Sequence, residues 1–278
     1  MVAIVQVDSF TDRPFAGNPA AVCVLDQPRD DAWLQAVAAE MNLSETAFLW
    51  PREPGAYDLR WFTPTVEVSL CGHATLASAH VLWEGRETGA DTLRFATRSG
   101  ELRARREGTW ITLDFPATPA RPIEPPTGLL EALGLTEPPH FIGRNDDDLL
   151  LELDSEAAVR AVAPDFGRLG ALDLRGVMVT ARAEATTQPG GAKEADFVSR
   201  FFCPSGGVDE DPVTGSAHCT LGPHWAERVG RDEVTGYQAS TRGGFVRVRV
   251  RGDRVDLIGQ TITVLRAELA DGALAPPR

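Results

Sequence analysis

Four side chains in this sequence can handle a proton and have neighbours suited to hold them: Glu45, His73, Asp211 and Ser216. Glu45 lies in Met41-Asn-Leu-Ser-Glu-Thr-Ala47 and runs into Ala-Phe-Leu-Trp, which reads as a buried strand. An acid flanked by apolar sequence is either a cap or a desolvated acid/base, and the local sequence favours the cap. His73 follows Cys71-Gly72 and opens HATLASAHVLWE (73–84). Asp211 and Ser216 lie in GGVDEDPVTGSAH (207–219), where three carboxylates run into Pro212 and a second helix begins. Pro212 stiffens that loop and holds Asp211 at the mouth of a site, while Asp209 and Glu210 read as facing water.

The elements that must position these groups are written twice. ATRSGELRARREG (96–108) matches STRGGFVRVRVRG (240–252) at one fixed offset. Upstream, Arg60-Trp-Phe-Thr-Pro64 matches Arg200-Phe-Phe-Cys-Pro204, and Gly72-His-Ala-Thr matches Gly215-Ser-Ala-His. The blocks come in the same order, so each half holds a strand ending in Phe-x-Pro, a loop, a helix opening at Gly-x-Ala, and a hairpin. Helix 73–84 is apolar nearly all round and is expected to be buried; helix 216–228 carries Gly222-Pro223, which should kink or shorten it. The fold class implied is α+β, with two pseudo-symmetric lobes, each a barrel-like, mostly antiparallel sheet around a central helix. The N-terminal lobe spans 1–117 and is completed by 263–278; the C-terminal lobe spans 118–262, after the proline-rich connector 116–128. Shorter elements are expected as strands at 2–8 and 176–181, and as helices capped by Asp30 or Asp31, at 127–134 and at 155–163.

A helix N-terminus offers unpaired N–H groups and partial positive charge, so it suits a carboxylate. The two here, at Gly72-His73-Ala74 and at Gly215-Ser216-Ala217, point to a small anionic ligand held in a cleft between the lobes. The positive helix end should also strip His73 of its proton near neutral pH.

Composition narrows the partners. A formal net charge of −13 argues against nucleic acid and against anionic membrane surfaces. No apolar run approaches the roughly 20 residues of a membrane span, and the N-terminus lacks a signal-peptide pattern, so a cytoplasmic location is expected. Lys193 is the sole lysine and sits in a Gly- and Thr-rich loop, which disfavours pyridoxal chemistry; no nucleotide-binding glycine motif is present, and no cofactor is expected. Cys23, Cys71, Cys203 and Cys219 read as reduced thiols, with Cys23, Cys203, Cys219 and His80 as core filler. No metal is expected: His218, Cys219 and His224 match no zinc spacing, and the Asp146–Asp148 triplet reads as a solvated turn. Loops 140–148 and 183–196 carry no physical reading.

Phe-Ala-Gly-Asn-Pro-Ala-Ala-Val (15–22), Asn-Leu-Ser-Glu-Thr-Ala-Phe (42–48), Arg-Trp-Phe-Thr-Pro (60–64), Cys-Gly-His-Ala-Thr (71–75) and Glu-Asp-Pro-Val-Thr-Gly-Ser-Ala (210–217) together resemble the signatures of the PhzF-like phenazine-biosynthesis family, which has the diaminopimelate-epimerase fold. The resemblance implies two barrel-like lobes, a cofactor-free site between them and a homodimer. It implies that Glu45 transfers the proton, overturning the local preference for a cap, and that His73, Asp211 and Ser216 line the site. Asn18, Ser44, Gly72, Ala74, Thr214 and Gly215, in or beside these motifs, are the substrate-binding candidates. Racemases of this fold use two cysteines; the repeat places Thr214 opposite Cys71, which disfavours a two-thiol route.

Three readings remain. The first is a cofactor-independent isomerase acting by acid/base proton transfer on a small carboxylic acid. The second is an amino-acid epimerase or racemase using Cys71 and a carboxylate. The third is a catalytically silent small-molecule binding protein.

Overall fold

A computed structural model describes residues 2–85, 90–184 and 195–274, so Lys193 and most of loop 183–196 lie outside the described residues. The chain divides into two compact units, Met1–Phe115 with Ile258–Arg278, and Pro116–Leu257. The second crossing comes before the expected 262/263 boundary. Gly259 already packs on Phe10 and Leu76 of the first unit, and the Gln260 carbonyl accepts the Thr11 N–H at 3.1 Å.

The first unit contains β1 (Ala3–Ser9), β2 (Asn18–Val24), α1 (Asp31–Met41), β3 (Glu45–Glu53), β4 (Ala56–Phe62), β5 (Glu67–Val68), α2 (Gly72–Gly85), β6 (Thr92–Thr97), β7 (Gly100–Glu107) and β8 (Trp110–Pro116). The second contains β9 (Arg121–Pro122), α3 (Leu129–Leu133), β10 (Phe141–Arg144), β11 (Asp148–Glu152), α4 (Glu156–Ala161), α5 (Phe166–Gly170), β12 (Gly176–Arg182), β13 (Phe197–Cys203), β14 (Val208–Asp211), α6 (Gly215–Val229), β15 (Glu233–Gln238), β16 (Gly244–Arg251) and β17 (Arg254–Gly259). The last strand, β18 (Thr261–Glu268), returns to the first unit and pairs antiparallel with β1.

The written repeat is a repeat of topology. In unit one, β1–β2 is antiparallel, β2–β3 parallel, β3–β4 antiparallel, β4–β6 parallel and β6–β7 antiparallel. In unit two the same series runs through β10–β11, β11–β12, β12–β13, β13–β15 and β15–β16. The likeness extends to side chains. Arg60 grips Glu67 with two bonds, of 2.8 and 2.7 Å, and lies over the Phe62 ring; Arg200 grips Glu210 with bonds of 2.7 and 2.9 Å and lies over Phe202. Such forked pairs fix orientation as well as charge, and each ties a short strand to the strand ending in Phe-x-Pro. Glu210 is therefore half-buried in this pair instead of facing water, while Asp209 is exposed.

Each central helix is buried for reasons readable in its composition. On α2, Ala74, Leu76, Ala77, Ser78 and Ala79 are buried on all sides. Its hydroxyls cost little there, because Thr75 and Ser78 donate to the Cys71 and Ala74 carbonyls of the same turn. Helix α6 departs from expectation: it runs unbroken through Pro223. Proline removes the N–H that would bond the Cys219 carbonyl, and that carbonyl is met instead by the Thr118 N–H at 3.1 Å. Asp148 also departs: it is fully buried and ion-paired to Arg175, while Asn145 Oδ1 caps the N–H groups of Asp147 and Asp148.

The turn between β1 and β2 leaves no room for a side chain. Gly17 has φ +65°, and a Cβ there would sit 2.1 Å from the Ser9 carbonyl oxygen. The close approach lets the chain turn from β1 straight into Asn18 of β2. Gly17→Ala should therefore destabilise the fold by about 1–3 kcal/mol, read as a lower urea midpoint with unchanged m-value. An unshifted midpoint would show that the turn is not so constrained.

Candidate active site

Strand pairing builds the first cluster. β2 and β3 run parallel with Ala20 opposite Glu45, and side chains two residues apart share a face, so Asn18 and Glu45 emerge side by side. Helix α2 begins at Gly72 and brings His73 in its first turn against the same face. Glu45 is thus the first residue of a strand and caps no helix.

His73 is 3 % exposed, and its ring and backbone are held from three directions. The Asn18 amide meets His73 Nδ1 at 3.1 Å, Cys71 Sγ lies 3.6 Å from the same nitrogen, and Ser9 Oγ donates to the His73 carbonyl at 2.8 Å. Nε2 faces Glu45 Oε2 at 3.1 Å. The two atoms are close but out of line, and neither has a hydrogen-bond partner among the described residues. Buried polar atoms are nearly always bonded, and here two unpartnered ones face each other, which leaves both able to bond a further group.

The charge state of His73 is opposite to what its helix position suggests. Burial is the largest influence and pushes the imidazole down, but the charges of Cys71 and Glu45 outweigh it and hold His73 well above its ordinary value of 6.5. The Cys71 thiol is itself pushed up to about 11, by burial first and then by Glu45, so at neutral pH it carries no charge. Glu45 is one of the two neighbours, with Cys71, that oppose the effect of burial on His73. A neutral buried thiol is a poor base, which weighs against racemisation through Cys71. Cys23 and Cys219 are likewise buried, with thiols pushed up to about 12, while Cys203 is half-buried.

The second cluster belongs to the second unit. Thr214 precedes α6 and donates through Oγ1 to Asp211 Oδ2 at 2.5 Å. Gln238, at the end of β15, clamps the loop: its Oε1 accepts the Thr214 N–H at 2.9 Å and its Nε2 donates to the Asp211 carbonyl at 2.7 Å. Ser240 Oγ donates to the Pro212 carbonyl at 2.8 Å. Thr214 makes no side-chain cap, so the first-turn N–H groups at Gly215 and Ser216 keep their free helix-end character. Ser216 is half-exposed at that start.

Within unit one the structure thus brings Asn18, Glu45 and His73 together, with Gly72 and Ala74 buried beside them in the first turn of α2 and Ser44 half-buried before β3. Within unit two it brings Asp211, Thr214, Gly215 and Ser216 together. Asn18 is fully buried, and its amide Nδ2 lies against the His73 ring. Ser9 and Gln238 are not among the residues the sequence singles out. Ser9 had a signal, since it follows Val5 and Val7 on the buried face of β1 and breaks their apolar pattern; Gln238 had none. His218 and His224 join no metal set: His218 Nδ1 bonds the Thr214 carbonyl and burial pulls the ring down to about 4, while His224 pairs with Glu152.

Because folding raises the His73 value, its charge stabilises the fold fully below pH 6.5, and this contribution is lost as pH rises through the raised folded value. Removing the cause should lower that value. Histidine 15N spectra should show His73 protonated on both nitrogens at pH 7 in the native chain, and the titration midpoint should fall in Glu45→Gln. An unmoved midpoint would mean that Glu45 does not hold the proton there.

Comparison with known proteins supplies the family. A family model described as phenazine biosynthesis-like protein matches residues 7–267. An uncharacterized isomerase of Halalkalibacterium halodurans is 52% identical, with 96% of this chain and 97% of that protein covered. An uncharacterized isomerase of Pseudomonas aeruginosa is 51% identical, covering 96% and 98%. A crystal structure of a PhzF-family phenazine biosynthesis protein from Enterococcus faecalis superimposes with a TM-score of 0.88 at 39% identity, covering 97% and 99% of the two chains. The chain belongs to the phenazine biosynthesis-like (PhzC-PhzF) protein family and has its epimerase-like α+β fold.

Proposed function

We propose that this protein is a cofactor-independent isomerase that moves a proton between two carbons of a small unsaturated or cyclic carboxylic acid. The observation that carries the reading is the open pair of buried atoms, Glu45 Oε2 and His73 Nε2, 3.1 Å apart and each without a hydrogen-bond partner among the described residues. The isomerase names of relatives at 52% and 51% identity support the reaction class.

The step needs no redox partner. Glu45 takes a proton from a carbon next to the substrate's conjugated system, and the C–H electron pair moves into that system. The double bond shifts, and the protonated Glu45 returns its proton to a second carbon on the same face. His73, held by Asn18 and Ser9, stays protonated beside Glu45 and steadies its charge between the two transfers. Asp211 and Ser216 are proposed as the groups that orient the acid, with the N–H groups at Gly215, Ser216 and Gly72 as candidate partners for carboxylate oxygens. Thr214 is removed from the direct contacts, because its hydroxyl and N–H are spent on Asp211 and Gln238.

Turnover of a small acid in deuterated water should place deuterium at the carbon that receives the proton, and Glu45→Gln should lose about 10²–10⁴-fold in kcat. Ser216→Ala should act mainly on KM. Full activity in Glu45→Gln, with only protium at the reacting carbon of the native enzyme's product, would end the proposal.

A further inference from the structure

Glu45, Cys71 and His73 offer, one atom each, a carboxylate oxygen, a thiol sulfur and an imidazole nitrogen that all lie within 4.8 Å of one another. We infer that these three side chains form a binding site for a thiophilic divalent cation, of which Zn²⁺ is the representative, and that the cation blocks proton transfer when bound. The site differs from the chemistry proposed above, which uses no metal and does not use Cys71.

The donor set is the first ground. Thiolate, imidazole and carboxylate are the zinc ligands of proteins, and three of them leave the fourth tetrahedral position to water or to a substrate oxygen. Distance is the second. Bonds of about 2.3 Å to sulfur and about 2.1 Å to nitrogen put two ligands of one tetrahedral zinc roughly 3.6 Å apart. Cys71 Sγ and His73 Nδ1 are 3.6 Å apart. The Glu45 oxygen, within 4.8 Å of the other two ligand atoms, would have to leave its place 3.1 Å from the other ring nitrogen, Nε2, to join the same ion. Unmet bonding demand is the third: Glu45 Oε2 is buried with no hydrogen-bond partner among the described residues, so its move to a cation breaks no hydrogen bond of that oxygen. The contact it does displace at Nδ1 is the Asn18 amide, whose rotation would turn its carbonyl oxygen toward the ion.

The proton balance is fixed by the same groups. Zn²⁺ joins a Cys71 thiol, a protonated His73 and the Glu45 carboxylate, and the Cys71 and His73 protons leave as the S–Zn and N–Zn bonds form. The two anionic ligands neutralise the ion, and binding tightens as pH rises. Inhibition follows because the Glu45 oxygen that would accept the substrate's proton is engaged; this consequence alone rests on the isomerase reading.

The test titrates zinc chloride into the purified full-length protein by calorimetry in buffers of different ionisation enthalpy, with Co²⁺ as a spectroscopic substitute. The expected result is one ion per chain, release of close to two protons near pH 7, and a near-ultraviolet sulfur-to-cobalt band. Cys71→Ala should abolish that band and weaken zinc at least tenfold, with its circular dichroism and melting curve reporting whether it is folded. No saturable one-to-one binding, no thiolate band in the native chain, or equal affinity in folded Cys71→Ala would overturn the site. Zinc held through Cys71 with undiminished proton exchange would leave the site standing and count instead against Glu45 as the proton carrier.

Discussion

A protonated, buried His73 set 3.1 Å from the partly exposed Glu45 carboxylate is the constraint around which the first unit is built. A charged imidazole is expensive to bury, and burial is the strongest influence on it. It survives because an acid is fixed beside it. That acid is fixed because β3 pairs in register with β2, and β2 starts where it does because Gly17 permits a turn that a side chain would obstruct. The helix that carries His73 must come equally close, which explains a buried α2 filled with alanine and with hydroxyls satisfied by nearby backbone.

The pair is unusual in being close and yet unfinished. Structural ion pairs in the same chain are forked and aligned: Arg60 on Glu67 and Arg200 on Glu210 each close two bonds. Glu45 is near enough to raise His73 but the pair leaves Oε2 and Nε2 without bonds among the described residues. A proton carrier must leave its oxygen open to substrate, and the Glu45 oxygen meets that requirement. The charge state separates His73 from His218, which sits at the start of the other central helix, bonds the Thr214 carbonyl and is held neutral by burial.

Much of this was legible in the sequence where the physics is local or repeated. The duplication, both central helices, the Asp30 cap on α1 and the linker near residue 116 follow from periodicity, capping and turn chemistry. What could not be read depended on distant partners. Pro223 reads as a helix breaker until Thr118, far away in sequence, supplies the missing donor. Asp148 and Glu210 read as solvated until Arg175 and Arg200 bury them. The helix end alone suggests a neutral His73, because the carboxylate opposing that local field comes from another strand. Gln238 gave no sign, since a strand-end glutamine has no pattern that reveals what it clamps.

The central claim is that one carboxylate carries one proton between two carbons on the same face. The most direct measurement is a single turnover in ordinary water of an acid labelled with deuterium at the reacting carbon. Transfer through Glu45 predicts that the label leaves that carbon and that part of it appears at the second carbon of the same molecule, before exchange with solvent removes it. Product that keeps its deuterium at the original carbon would contradict the claim.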